Sequence, residues 1–369
     1  MTDRLDELSF SPEIYRQTKR QWDKVAKPID SLGLLEDCVC RINAVKGDAD
    51  YRGRIKNALV IFCADHGVVA EGVTQTDSSV TKIVSDNFAA GKSTVNIMAA
   101  ASGTDVYTVD AGMDCGQYDT VELMTGCVID RKIRRGTSNL RVEAAMSEEE
   151  CERALKYGSE IARQLKVKGY DILSTGEMGI GNTTPTSVLT ALLLDKSAQE
   201  VAGRGAGLSD QGLEIKTRVI ADAIGRIKAG TGEKFSEESG SNPALVKEYL
   251  RQGGGFEIAM MAGLFLGGAE HGIPVVIDGV ISAVAALSAM RIDGRVQGIL
   301  IPSHVSAEGA GSLLLEEIGL PAIIHGRMCL GEGTGAMALI PLINMAYDVY
   351  RSMGTFEEYE IEQYERFEE

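Results

Sequence analysis

The sequence predicts an α/β fold: a Rossmann-like parallel sheet of about six strands, with helices on both faces. Three observations carry that prediction. Six short runs rich in Val and Ile recur along the 369-residue chain, and segments of helical period separate them. Such runs, apolar at nearly every position, are those of strands buried on both faces. The runs also end in Asp, Gly or His. In open parallel sheets, ligands sit beyond the carboxyl ends of the strands, where these polar endings fall.

Taken in order, the first 55 or so residues are charged and mostly helical, with Ser11-Pro12-Glu13 as a start signal and Pro28 as punctuation. Residues 58–64 form the first predicted strand, ending in Asp65-His66-Gly67, and residues 105–109 the second, ending in Asp110-Ala111-Gly112. Ser147-Glu148-Glu149-Glu150 is a capping box for a helix running to about Lys166. Residues 170–174 form the third strand, followed by a glycine loop. Ser209-Asp210 caps another helix, and Gly253-Gly254-Gly255 opens a further one at Phe256. The remaining strands are 273–277 before Asp278-Gly279, 298–301 before Pro302-Ser303-His304, and 321–324 before His325-Gly326. Residues 336–353 form a buried helix that Pro341 kinks or breaks. The tail after Gly354 is strongly acidic. The contrast between charged ends and apolar centre predicts a large domain at 32–345 and a small helical domain built from 1–31 and 346–369.

A hydrophobic content of 44% supports a sizeable core, and a net charge of −16 argues against nucleic acid or an anionic membrane as partner. No apolar stretch approaches the ~20 residues of a membrane span. The opening Met1–Glu7 lacks the order of a signal peptide, so a reducing cytoplasm is the expected compartment. The seven cysteines are scattered, and Cys38-Val39-Cys40 has no second pair at zinc spacing. No metal site is expected.

Gly176-Glu177-Met178-Gly179-Ile180-Gly181-Asn182-Thr183-Thr184 lies between a predicted strand and a predicted helix. A glycine loop at a helix N-terminus is an anion site, because amides and dipole both favour negative charge. Two common templates fail here. Asn182 stands where a G-x-x-x-x-G-K-[ST] loop needs its lysine, and Thr184 ends a would-be G-x-G-x-x-G. Glu177 is repulsive in a phosphate loop unless it faces a hydroxyl or a cation. The segment therefore suits one phosphate on a molecule that bears hydroxyls or a positive charge. Gly203-Arg204-Gly205-Ala206-Gly207 is a second cluster, either a flexible turn or part of the same site. Lys216 shares an inward stripe with Ile220, Ile224 and Ile227. Either it snorkels to the surface or it closes on the phosphate. In Gly331-Glu332-Gly333-Thr334-Gly335 the carboxylate is closely approachable. It is either a helix-terminal Glu or a general base. Apolar neighbours Leu330 and Met337 raise its pKa and the helix end lowers it, with a sum that sequence leaves open. His66 reads as a hydrogen-bonded structural residue, while Asp278, Ser303 and His304 line a site without an assignable role.

Together these segments resemble the nicotinate-nucleotide–dimethylbenzimidazole phosphoribosyltransferase family, which makes the lower-ligand nucleotide of cobalamin. The matching runs are Ala64 through Val68, Gly176 through Thr184, Gly203 through Asp210 with Lys216, Gly255 through Ile258, Asp278-Gly279, Leu330 through Gly335, and Thr355-Phe356-Glu357. The resemblance implies a homodimer that moves phosphoribose from nicotinate mononucleotide to a benzimidazole nitrogen, with inversion and release of nicotinate, and without a cofactor. It implies Glu332 as general base. It also implies Glu177, Met178, Gly179, Gly181, Asn182, Gly203, Gly205, Lys216 and Leu330 as substrate contacts, Lys216 serving as the phosphate's cation. One departure concerns the acceptor. Aligning Val80-Thr81 with the family's base-pocket helix puts Thr76 and Val84 at lining positions, with Val84 replacing a glutamine. The expected acceptor is 5,6-dimethylbenzimidazole. Another benzimidazole, adenine or a phenol is the alternative acceptor, and a non-catalytic nucleotide-binding subunit the alternative of another class.

Overall fold

The computed structural model describes residues 10–51, 53–231 and 242–366, so the Met1–Glu7 stretch lies outside the described residues. Six strands form one sheet: β1 (Asn57–Ala64), β2 (Asp105–Gly112), β3 (Val128–Asp130), β4 (Ile172–Met178), β5 (Val275–Ile277) and β6 (Leu300–Pro302). Their order is β3-β2-β1-β4-β5-β6, and every pairing is parallel. This is the doubly wound order, whose reversal falls between β1 and β4 and opens a crevice at their carboxyl ends.

All eight residues of β1 are buried, and its side chains divide between two apolar layers with the period of two that a strand imposes. Ala58, Val60, Phe62 and Ala64 face a layer containing the Glu148–Val167, Thr183–Leu194 and Phe256–His271 helices. Leu59, Ile61 and Cys63 face a layer built from the Leu34–Lys46 and Thr334–Ser352 helices, together with Trp22. Burial on both faces explains why β1 is apolar from Ala58 to Ala64 rather than alternating.

Six strands were expected and six are present, but one differs. Residues 321–324 make only a single bridge, His304 to Ile324, while the three-residue β3 at the opposite edge carries too short a pattern to stand out. A second difference touches the site. β4 continues through Met178, pairing Ile61 with Gly176, Phe62 with Glu177 and Cys63 with Met178, so the glycine loop starts only at Gly179.

Capping chemistry sets the helix starts where the sequence puts them. Ser147 Oγ accepts from Glu150 N while the Glu150 carboxylate accepts from Ser147 N. Ser11 caps the Pro12–Lys24 helix, with the proline in its first turn. The Thr334–Ser352 helix contains Pro341 without ending there. The two ends of the chain meet: Phe356 N donates to Lys24 O, Ala26 N to Gly354 O, and Val25 bridges Thr355. Arg366 pairs with Asp23 and Asp30. These contacts support a small domain formed by both termini. We propose it with boundaries near 31 and 346, with one helix crossing the second. No helix among the described residues is long and apolar enough to cross a membrane.

Candidate active site

A cleft opens beyond the carboxyl ends of β1, β4 and β5, enclosing about 1130 Å³ with open solvent included. Segments 73–76, 177–183, 204–208, 278–282 and 329–332 line it, together with His304, Ser306 and Glu308. Its position is the one expected for a ligand at the reversal of strand order.

One corner is built for an anion. Asn182 is the N-cap residue of the Thr183–Leu194 helix, and Gly181 before it takes φ +91°. The Lys216 side chain reaches this helix end from the Asp210–Thr231 helix, and its Nζ donates to Thr183 Oγ1 at 2.7 Å and Gly203 O at 3.0 Å. Lys216 is fully buried and does not snorkel. Burial pushes its pKa down to about 8, against a small opposing pull from the Glu308 carboxylate. Two of the ammonium's three donors are taken, which leaves one for a ligand. Gly205, at φ +51°, folds over the same point, where a side chain would meet Thr183 Oγ1 at 2.9 Å. Thus Gly179, Gly181, Asn182, Gly205 and Lys216 surround one place, with Gly203 behind the lysine.

Glu177, next to the last residue of β4, lies inside this cleft and is almost completely buried. It accepts from Asn182 Nδ2, and the Glu332 amide approaches its other oxygen at 3.4 Å. Burial raises its pKa to about 8, the Asn182 bond opposes, and the Asp278 and Glu257 charges add to the rise. A carboxyl group neutral near pH 7 does not repel a phosphate, which resolves the conflict that Glu177 poses in the sequence.

Glu332 sits on a turn in which three successive residues adopt left-handed backbone: Gly331 at φ +82°, Glu332 at +64° and Gly333 at +96°. The conformation is costly for a glutamate and persists only where the surroundings enforce it. Asp278, from the end of β5, provides that enforcement. Its carboxylate accepts from Gly333 N at 3.0 Å, Gly335 N at 2.7 Å and Ala336 N at 3.1 Å. The N-terminus of the Thr334–Ser352 helix is therefore satisfied by Asp278 and not by Glu332. On the other side the turn lies directly on β4, where a Cβ on Gly176 would come within 2.5 Å of Glu332 O. Glu332 Oε2 is buried with no hydrogen-bond partner. Burial raises the Glu332 pKa, and the negative charge of Asp278 raises it further. The sign left open by sequence is thus upward, because burial and the Asp278 charge act in the same direction.

The rest of the cleft wall mixes apolar and polar side chains. Met178, exposed Leu330 and the 73–76 segment, including Thr76, line it. Val84 does not reach the cleft. It is half-buried against the apolar layer under the Ser79–Ala89 helix. A glutamine is present after all, but it is Gln75, whose Nε2 donates to Gly207 O across the mouth. Sequence reasoning also missed Thr81, which is buried and accepts from Ile180 N at 3.1 Å, and Ser306 in the wall. Ser306 belongs to no motif that could flag it, and Thr81 served only to align the base-pocket helix. His304 Nδ1 lies 3.0 Å from Ser303 Oγ, and its ring packs on Gly335 and Asp278. No group of side chains able to hold a metal ion occurs among the described residues.

The phosphoribosyltransferase family profile matches residues 9–361. The nicotinate-nucleotide–dimethylbenzimidazole phosphoribosyltransferase of Acetivibrio thermocellus is 38% identical over 357 residues, covering 96% of each chain. That of Clostridium acetobutylicum is 37% identical over 352 residues, covering 95% of each. The crystal structure of CobT from Thermus thermophilus superposes with a TM-score of 0.85 at 35% identity, covering 96% of this chain and all of the other. With an anion corner and a lone buried carboxyl oxygen in one cleft, and likeness over nearly its whole length, the chain belongs to the phosphoribosyltransferase family represented by these enzymes.

Proposed function

We propose that this chain transfers phosphoribose from nicotinate mononucleotide to 5,6-dimethylbenzimidazole, giving α-ribazole 5′-phosphate and nicotinate for cobalamin biosynthesis. The observation that carries the reading is Glu332 Oε2, buried and unpartnered in the cleft whose wall includes Thr183, the residue that Lys216 Nζ contacts from behind. The donor's phosphate is held by the Thr183–Leu194 helix end and Lys216. Glu177, neutral in the empty cleft, contacts the mononucleotide. The azole nitrogen attacks C1′ from the face opposite the nicotinate. The C1′–nitrogen bond of the donor breaks, and its electron pair neutralises the pyridinium ring. The azole N–H proton passes to Glu332, whose raised pKa makes it a stronger base than an exposed carboxylate.

The acceptor is argued from the wall that faces Glu332. Met178 and Leu330 favour a flat aromatic ring, and Gln75 already donates to Gly207. The same wall supports other benzimidazoles, adenine or a phenol as a second set of acceptors. Incubation with nicotinate mononucleotide and this panel, followed by detection of nicotinate and the α-riboside phosphate, tests the reading. The highest kcat/KM is expected with 5,6-dimethylbenzimidazole, and no nicotinate release with any acceptor would refute the function. We further propose a cytoplasmic homodimer. Ile83 and Ile97, 58% and 70% exposed on consecutive helices, support an apolar contact surface. Sedimentation as a monomer would exclude it.

A further inference from the structure

Two of the family-like runs, Asp65-His66-Gly67 and Gly255-Phe256-Glu257, have no part in the chemistry above. The fold brings them together directly beneath the mononucleotide loop. His66 follows β1, and its side chain is wholly inaccessible, as is that of Glu257 in the first turn of the Phe256–His271 helix. His66 Nε2 lies 2.9 Å from Glu257 Oε1. The imidazole is wedged between two glycine backbones. A Cβ on Gly255 would stand 2.4 Å from His66 Cε1, and one on Gly179 would stand 3.1 Å from Nε2. Gly181 is next along, its Cβ position 3.8 Å from that of His66.

Neither ring nitrogen and neither Glu257 oxygen makes an aligned hydrogen bond among the described residues. His66 Nδ1 and Glu257 Oε2 lie outside the Nε2–Oε1 ion pair as well, and buried polar groups left in that condition are rare in folded proteins. Catalytic hydrogen bonds are often misaligned in an empty site and tighten on ligand binding. Charge points the same way. Glu257 and Asp65 face the ring, and the carboxylate charge of Glu257 is the largest influence raising the His66 pKa against the effect of burial.

We propose that His66, clamped by Glu257, is a positioning residue for donor binding: it holds the Gly179–Gly181 segment in the shape that receives nicotinate mononucleotide. The proposal rests on the donor assignment above. Its test uses the full-length chain as wild type, His66→Ala, His66→Gln and Glu257→Gln. Donor Kd is measured by calorimetry with nicotinate mononucleotide, together with KM for donor and acceptor and the thermal midpoint. His66→Ala and Glu257→Gln are expected to weaken donor binding about tenfold or more, since small misplacements of a binding loop are expensive. Acceptor KM should stay within about twofold, because the loss is confined to one substrate. His66→Gln should recover part of the donor affinity, since its amide can donate from the place of Nε2. A folded His66→Ala with wild-type donor Kd overturns the proposal. So does a parallel rise in donor Kd and acceptor KM with a falling Tm, which marks a purely structural pair. Should His66→Ala not fold, the same split in His66→Gln and Glu257→Gln decides. Wild-type protein that binds the mononucleotide without releasing nicotinate refutes the transfer reaction alone, and leaves the binding comparison intact.

Discussion

Glu332 and Lys216 divide the proposed chemistry between proton transfer and anion binding, and each can be removed without the other. Glu332→Gln keeps shape and polarity but cannot take a proton. Its kcat is expected to fall by about 10²–10⁴-fold, the usual worth of a positioned base, with calorimetric affinity for nicotinate mononucleotide retained. Unchanged turnover would remove Glu332 from the base role. Lys216→Ala should act in the opposite way, weakening mononucleotide binding more than it slows transfer at saturation. The depressed Lys216 pKa, about 8, adds a second readout. A phosphate bound to the ammonium raises that pKa again, so binding near pH 8.5 should take up protons. Calorimetry in buffers of different ionisation enthalpy measures this uptake. It should vanish in Lys216→Ala, and equal uptake in both proteins would place the phosphate elsewhere.

At the scale of elements, the site depends on one turn lying flat against one strand. Gly176 of β4 allows the Gly331–Gly333 turn to approach, and Asp278 at the end of β5 holds the turn through three helix-terminal amides. Gly176→Ala places a Cβ 2.5 Å from Glu332 O, a contact that only movement of the turn relieves. Overpacking of this kind costs about 1–3 kcal/mol. Denaturant unfolding is expected to show that loss, and the folded variant should also lose turnover because Glu332 moves with the turn. Full activity in Gly176→Ala would mean that the base tolerates displacement. The same contact explains an error of sequence reading. Gly176-Glu177-Met178 looks like loop because glycine weakens a strand pattern, yet this glycine is in the sheet to admit another segment's backbone.

For the whole molecule, Glu177 couples the stability of the fold to pH. Its pKa is about 8 in the folded protein against an ordinary 4.5. Between those values the folded state holds a proton that the unfolded chain has released, so stability falls as pH rises through the window. Glu177→Gln carries no such proton. Thermal melts of the empty protein should therefore show the variant gaining on wild type steadily from pH 5 to pH 8. A constant difference in Tm would show that Glu177 is not buried as described.

Much of this molecule was legible in its sequence. Apolar runs of strand length revealed a parallel sheet, since strands covered on both faces have no polar side to show. Local caps such as Ser11 and Ser147 marked helix starts, because capping is settled within three residues. The glycine clusters and Lys216 stood out as candidates for an anion site, since both are unusual where they stand. Other features needed the folded chain. β3 could not be told from loop over three residues, Gln75 rather than Val84 faces the cleft, and Asp278 joins Glu332 across more than fifty residues. The sequence by itself determined the fold class, the helix starts and the candidates for chemistry, because period, capping and composition are local properties. Only the tertiary structure decided how those candidates are tuned. The pKa values of Glu332, Glu177 and Lys216 are set by burial and by partners from distant strands, and no local pattern encodes either.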